Sequence, residues 1–194
     1  MRLNIPDGYL DDVREAVRVM KAGGVILYPT DTIWGIGCDA RNAEAVKRVY
    51  DIKQRVDSKA LICLVDNEVR LQQHVECVPD VAWELIECAD TPLTIIFDHG
   101  KDLASNLLAD DGSVGIRITR ELFSMLLCQH MRGAVVSTSA NISGQPSPKT
   151  FRDIDPALLE AVDYVCASRR RERQPAQPSH IIKLSDSAQV TIIR

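Results

Sequence analysis

The chain of 194 residues has no C-x-x-C pair, and its six cysteines are scattered singly. Closely spaced cysteine pairs mark zinc sites and redox motifs, so their absence argues against both. Cys63 stands inside the apolar run 61–65, a setting typical of a buried, reduced cysteine that packs as a small hydrophobic side chain. The four histidines show no metal-ligand spacing either. The sequence therefore predicts no disulfide framework and no protein-bound metal site.

Long apolar runs, a charged leader and an excess of basic residues are also missing. No apolar run approaches the ~20 residues that span a bilayer, so no membrane partner is expected. The net charge is -4, so the protein as a whole is not an electrostatic binder of nucleic acid, and any anion site must be local. Aromatic residues make up only 5% of the chain, which leaves few platforms for base stacking. These absences predict a reduced, cytoplasmic protein.

What the sequence does contain is an alternation of helical and strand-like apolar spacing. Helical spacing covers residues 10–21, 42–53, 80–88 and 121–131, and a further helix begins at 155–156. Strand-like runs cover residues 25–28, 61–65, 93–97, 114–118, 134–137, 164–167, 181–184 and 190–193. Several strands follow one another too closely for parallel crossovers. The sequence predicts one α/β domain over residues 1–194, with a mixed, twisted sheet, flanking helices and a concave anion-binding site.

Two polar segments that each follow an apolar run suggest where that site lies. Residues 29–37, the P-T-D-T segment, and residues 137–144, the hydroxyl-rich segment, come directly after strand-like sequence. Ligands of open α/β sheets bind at such strand ends. Gly35 and Gly37 would permit close backbone approach to a ligand, although a purely structural turn is the alternative for the P-T-D-T segment. No G-x-x-x-x-G-K-[ST] sequence, the pattern of a P-loop, is present. The hydroxyls would instead donate hydrogen bonds to phosphate oxygens.

Cations cluster near these segments. Lys53 extends the inward face of its predicted helix, and Arg55 and Lys59 follow in the same connection. Inward cations require an anion, and lysine and arginine are the side chains that hold phosphates and carboxylates. The alternative is that Lys53 only complements the negative end of its helix. Arg117, inside an apolar strand, is either solvated or paired with a ligand.

Residues 168–178, the arginine-rich segment, are polar, punctuated by proline and contain four arginines. This composition predicts a mobile surface loop. The arginines have no evident acidic partner nearby in the sequence beyond Glu172. The segment is therefore interpreted either as a solvated turn or as a flap that closes over an anionic ligand.

Taken in this order, the motifs resemble those of the YrdC-like threonylcarbamoyl-AMP synthases, and the likeness extends from about residue 9 to residue 194. The family pattern P-T-[DE]-T-x-[YW]-G-[LI]-G is matched by residues 29–37, K-x-R by Lys53 and Arg55, and S-x-N by Ser139 and Asn141. The resemblance implies a nucleotidyltransferase that converts L-threonine, bicarbonate or CO2, and ATP into threonylcarbamoyl-AMP and pyrophosphate. It also implies Mg²⁺ bound mainly through the ATP phosphates, and a separate tRNA-threonylcarbamoyl transferase machinery that modifies adenosine 37.

The resemblance further implies a role for each matching residue. Lys53 and Arg55 would be catalytic and would bind ATP. The other implied ATP ligands are Ser137, Ser139, Asn141 and Arg194, and the implied threonine ligands are Thr32, Lys59, Arg117 and Ser179.

The sequence also departs from the family pattern in three loops. K-Q-R-V replaces K-G-R-P, T-P-L-T replaces P-G-P-x-T, and P-S-H replaces P-S-T. These changes affect loop geometry more than chemistry. The extra C-terminal domain of longer members is not expected here. Two other functions remain open: an RNA-binding module, with at least a weak RNA contact, and a domain that binds nucleotide without turning it over.

Overall fold

A computed structural model describes residues 4–54, 61–172 and 177–194. Two of the implied site residues, Arg55 and Lys59, lie outside these described residues, as does the 173–176 part of the arginine-rich segment. The strands of the described chain are β1 (Ile26–Tyr28), β2 (Gly35–Gly37), β3 (Ile62–Val65), β4 (Leu93–Phe97), β5 (Val114–Ile118), β6 (Val135–Ser139), β7 (Tyr164–Val165), β8 (His180–Leu184) and β9 (Val190–Ile192).

These strands form a single sheet in the order β7-β1-β2-β6-β3-β5-β4-β8-β9. The pairs β1–β7, β3–β5 and β4–β8 are parallel, and the remaining neighbours are antiparallel. The predicted mixed sheet is thereby confirmed. Strand β2 was not predicted, because two of its three residues are glycines, which carry no strand signal.

The helices are α1 (Tyr9–Lys21), α2 (Ala43–Lys53), α3 (Glu68–His74), α4 (Val81–Cys88), α5 (Leu122–Met131) and α6 (Pro156–Ala161). As the sequence indicates, Asn42 caps α2 by accepting a hydrogen bond from the Ala45 N–H, and Gly23 follows α1 with a φ of 86°. Helix α3 was missed, although Asn67 caps it in the same way. No helix in the described part of the chain has the length and apolar content needed to cross a membrane.

The hydrophobic core has two parts, which correspond to the two faces of the sheet. Side chains of adjacent residues on a strand point to opposite faces, so Leu27 packs in one cluster while Ile26 and Tyr28 pack in the other. Helices α1 and α5 cover the Ile26 and Tyr28 face. Burial on both faces explains why these strands read as unbroken apolar runs in the sequence.

Candidate functional site

A cavity of about 220 Å³ opens beside strands β2, β3, β5, β6 and β8. Its lining residues are Thr32, Ile33, Gly35, Leu61, Ile62, Arg117, Ser137, Thr138, Ser139, Ser147, Pro178, Ser179, Ile181 and Arg194. By strand alternation and register, Arg117 faces the same side as its partner Leu64 on β3, which is the sheet face that α1 and α5 cover. The cavity thus occupies the part of this face that the two helices leave uncovered.

The central charge of this cavity is the guanidinium of Arg117, which is only 2% exposed. Its Nη2 and Nε atoms donate to the two carboxylate oxygens of Asp31, at 2.8 and 3.2 Å. Nη1 donates to the Thr94 hydroxyl at 3.1 Å, and Nη2 also lies 3.3 Å from the Thr32 hydroxyl. A two-pronged pair of this kind fixes the plane of the guanidinium as well as its position. Of the two sequence interpretations of Arg117, the structure therefore excludes a solvated face.

Thr94 and Ser179 extend this network toward the chain end. Thr94 is fully buried on β4, and its hydroxyl lies 2.9 Å from that of Ser179. Arg194 donates through Nε and Nη2 to the Ser179 carbonyl, at 3.3 and 3.1 Å. The Ile181 N–H in turn donates to the Arg194 carbonyl, at 2.9 Å. The last residue of the sequence is thus folded back against the cavity that it lines.

The P-T-D-T segment forms a hydrogen-bonded turn and also supplies two side chains that contact Arg117. The Thr30 hydroxyl accepts from the Thr32 N–H at 3.0 Å and donates to the Ile33 carbonyl at 2.8 Å. Thr30 therefore shapes the turn, whereas Asp31 and Thr32 present polar groups to Arg117. Gly37 serves packing rather than ligand approach, because a Cβ there would lie 2.2 Å from the Val136 carbonyl oxygen.

The ammonium of Lys53 points inward, as predicted, but its hydrogen-bond partners here belong to the protein. Lys53 is 2% exposed, and Nζ donates to the backbone carbonyls of Ser139 and Asn141, the latter at 2.7 Å. The Ser139 hydroxyl and the Asn141 side-chain oxygen lie 3.5 Å from Nζ. The lysine thus binds the backbone of the hydroxyl-rich segment and does not itself line the cavity.

Comparison with known proteins identifies the family. A sequence model of the Sua5/YciO/YrdC family, described as Telomere recombination, matches residues 18–194. The chain belongs to this family. The threonylcarbamoyl-AMP synthase of Pseudomonas aeruginosa is 36% identical over 153 residues, which are 77% of this chain and 81% of that protein.

Solved structures of the family share the fold. P. abyssi Sua5 in complex with L-threonine gives a TM-score of 0.82 at 21% identity, covering 94% of this chain and 53% of that one. E. coli YciO gives a TM-score of 0.81 at 23% identity, covering 94% of this chain and 87% of that one. The family and the α/β fold that the motifs predict are therefore confirmed.

The structure brings together most of the site residues that the family motifs imply. Those that line the cavity are Thr32, Arg117, Ser137, Ser139, Ser179 and Arg194. Asn141 lies behind it, where its side-chain amide donates to the carbonyls of Ile142 and Gln145. Thr94 and the Arg117 partner Asp31 were not selected from the sequence. Two features of the sequence could have indicated them: Thr94 is a polar residue inside the apolar strand β4, and Asp31 is the acidic residue of the P-T-D-T segment.

Besides Glu172, the one acidic residue nearby in the sequence, the arginine-rich segment has an acidic partner that is distant in the sequence. Arg169 lies 3.1 Å from the Glu121 carboxylate and 2.7 Å from that of Glu172. Arg170 donates to the carbonyls of Val165 and Cys166, and its guanidinium lies 5.1 Å from the centre of the Phe151 ring. These contacts arise because residues distant in sequence meet across the fold. Arg169 and Arg170 are thus docked on the protein, which does not fit a mobile loop.

The buried thiols of Cys38 and Cys63 are not suited to nucleophilic chemistry. Burial raises the pKa of the Cys63 thiol to about 12 and that of the Cys38 thiol still further, so both stay protonated at neutral pH. Protonated thiols are poor nucleophiles. Among the residues that the structure describes, no group of three or more His, Cys, Asp or Glu side chains could hold a metal ion.

Proposed function

We propose that the chain synthesises L-threonylcarbamoyl-AMP and pyrophosphate from L-threonine, bicarbonate or CO2, and ATP. Its relatives named threonylcarbamoyl-AMP synthase include one that is 30% identical over 90% of this chain. The observation that carries the proposal is the cavity, in which a buried arginine and Thr32 lie opposite a row of hydroxyls from β6. This arrangement would provide a carboxylate-binding end and a phosphate-binding end within one cavity.

The reaction requires two bonds to form in sequence. The threonine nitrogen attacks CO2 and loses a proton, which gives a carbamate anion. A carbamate oxygen then attacks the α-phosphorus of ATP, and the bond to pyrophosphate breaks. Because two anions approach one another, positioned cations and hydrogen-bond donors are the main catalytic requirement. No covalent nucleophile from the protein is needed.

The described residues divide these tasks by position. Arg117 and Thr32 would hold the threonine end, together with Ser179. Ser137 and Ser139 would donate to phosphate oxygens, and Arg194 would lie along the nucleotide. The aliphatic lining residues Ile33, Leu61, Ile62 and Ile181 can accommodate the threonine methyl group. Lys53 would act on the phosphate side through the hydroxyl-rich segment that it holds, and Arg55 and Lys59 keep their proposed roles as additional cations.

Mg²⁺ fits this site only as a companion of ATP. The described lining supplies hydroxyls, and the nearby carboxylate of Asp31 is taken by Arg117. Mg²⁺ prefers oxygen ligands and commonly binds through substrate phosphates. When bound, it would neutralise charge on the phosphates during pyrophosphate departure.

We propose that a separate tRNA-threonylcarbamoyl transferase in the cytoplasm uses the product to modify tRNA. The rival function, an RNA-binding module, predicts a broad basic face. A net charge of -4 and a cavity of about 220 Å³ favour small substrates instead. A weak contact with tRNA during product transfer is compatible with this proposal.

The test is pyrophosphate release with each substrate omitted in turn. We expect release to require ATP, bicarbonate and threonine, and serine to be a poorer substrate by the roughly 1 to 3 kcal/mol that a buried methyl group contributes. Arg117→Lys should lower kcat/KM for threonine about 100-fold, because a point charge cannot reproduce the two-pronged contact with Asp31 that fixes the guanidinium beside the cavity. The exposed Arg14→Lys serves as the control. Pyrophosphate release that ignores the amino acid would contradict the proposal, and ATP binding without release would favour a non-catalytic nucleotide-binding domain.

A further inference from the structure

Arg169 stands where two parts of the candidate site meet. Its Nη1 atom donates to the Thr30 carbonyl at 2.8 Å and lies 3.1 Å from a carboxylate oxygen of Glu121. Its Nε atom donates to Glu172 at 2.7 Å. The side chain is 21% exposed and that of Glu121 is 17% exposed, so the contact with Glu121 is largely shielded from solvent, whereas Glu172 is 52% exposed. Exposed ion pairs contribute little, whereas removal of one partner of a shielded pair leaves the other charge uncompensated and is costly.

The two groups that Arg169 joins belong to the segments that carry the Asp31–Arg117 pair. Thr30 directly precedes Asp31 and accepts the Thr32 N–H through its own hydroxyl. Glu121 follows β5, the strand of Arg117, and caps α5 by accepting from the N–H groups of Phe123 and Ser124, at 3.0 and 2.8 Å. One guanidinium thus fixes the P-T-D-T segment relative to the end of β5.

The backbone around Arg169 is itself held in place. Arg169 has a φ of 60°, in the left-handed region that residues other than glycine seldom adopt. The preceding Ser168 N–H donates to the buried Asp12 carboxylate at 2.6 Å. Such a conformation persists only where the surrounding contacts impose it.

The neighbouring Arg170 supports the same segment from a second direction. Its guanidinium lies over the Phe151 ring, and the Phe151 ring centre is 4.8 Å from that of Trp34 in the P-T-D-T segment. A guanidinium over an aromatic face is attracted by the ring. Two consecutive arginines therefore brace one polar turn.

We propose that Arg169 is a positioning residue for the amino-acid substrate: it holds the Thr30 carbonyl and Glu121 so that Thr32 and Arg117 keep the spacing that threonine binding requires. The inference rests on the proposed function. Because Arg169 contacts the turn and does not line the cavity, its loss shifts the threonine-binding groups without removing any of them. A shift of this kind raises KM for threonine and leaves the phosphate-binding end in place.

The experiment compares Arg169→Gln with Arg171→Gln, a substitution of an exposed arginine two residues further along the chain. Well below the melting temperature of either variant, Arg169→Gln should raise KM for L-threonine about tenfold while KM for ATP changes less than about twofold. Arg171→Gln should match the parent protein. Arg169→Gly supplies a second variant, because glycine accepts the positive φ and removes the guanidinium without added backbone strain.

A second readout does not depend on activity. Amide hydrogen exchange at Thr32, whose N–H bonds to Thr30, should quicken in Arg169→Gln and Arg169→Gly and stay unchanged in Arg171→Gln. Unchanged exchange and unchanged KM for threonine in the Arg169 variants would overturn the inference. A parent protein without threonine-dependent pyrophosphate release would overturn the proposed function instead, and hydrogen exchange would then decide the positioning role alone.

Discussion

At the scale of single residues, Lys53 was correctly predicted to point inward, but its hydrogen-bond partners were not predicted. The sequence predicts an anion for this cation, and the structure gives its ammonium the carbonyls of Ser139 and Asn141. A lysine can satisfy several backbone acceptors at once because it carries three donors on one nitrogen. Its role toward ATP stays a prediction, but its role in holding the hydroxyl-rich segment follows from the contacts.

Replacement of Lys53 by methionine should therefore lower both stability and activity. The change keeps an unbranched side chain of nearly the same length and removes the ammonium donor. The Ser139 carbonyl still accepts from the Asn141 N–H, whereas the Asn141 carbonyl loses the lysine donor, at a cost of about 1–3 kcal/mol in the free energy of unfolding. Urea unfolding and pyrophosphate release would measure the two effects. Lys47→Met, on the exposed face of the same helix, is the matched control. An unchanged free energy of unfolding in Lys53→Met would show that the carbonyl contacts contribute nothing.

At the scale of elements, a single carboxylate of α1 holds the end of β7. Asp12 is 6% exposed, and its oxygens accept from the Tyr164 hydroxyl at 2.7 Å, the Ala167 N–H at 3.0 Å and the Ser168 N–H at 2.6 Å. These bonds set the direction in which the chain enters the arginine-rich segment.

Asp12→Asn should weaken the attachment of the start of the arginine-rich segment to α1. The amide group presents hydrogens where the carboxylate presented an acceptor, so at least one buried N–H loses its partner at about 1–3 kcal/mol. Trypsin should then cut after Arg169 and Arg170 faster than in the parent protein. Asp11→Asn, on the exposed side of α1, should leave both stability and cleavage within the error of measurement. Equal cleavage rates in the two variants would contradict the anchoring role of Asp12.

At the scale of the whole molecule, the buried His74 at the end of α3 makes stability depend on pH. Its Nε2 atom accepts from the Ala134 N–H at 3.2 Å, which requires a neutral ring. Burial lowers the pKa of His74 below its ordinary value. The unfolded chain therefore takes up a proton first, so the stabilising contribution is complete above about pH 6.5 and is lost as pH falls toward the folded-state pKa.

Chemical unfolding between about pH 7.5 and 5.5, a range of roughly one pKa unit on either side of the ordinary histidine value, should accordingly show a free energy of unfolding that falls as the pH is lowered. His74→Gln removes the titration and retains an acceptor, so its profile should be flatter over this range. His180→Gln changes an exposed histidine and should keep the slope of the parent protein. A slope in His74→Gln as steep as that of the parent would assign the pH dependence to other groups.

The sequence by itself determined the classes of element and the polar segments of the site. Apolar periodicity marks β3, β5 and α5, because their side chains are selected by burial, which is a local property of each position. The order of the motifs determined the family, and it selected Thr32, Arg117, Ser139 and Arg194, which the structure brings to one cavity.

Only the tertiary structure decided which groups became partners. Asp31 and Arg117 are separated by 86 residues, and Arg169 and Thr30 by 139, so no local pattern could pair them. The docking of the arginine-rich segment likewise depends on Asp12 and Glu121, which lie on other elements. Sequence spacing records which residues are buried or polar, whereas ion pairs and hydrogen bonds between distant residues depend on how the chain folds in three dimensions.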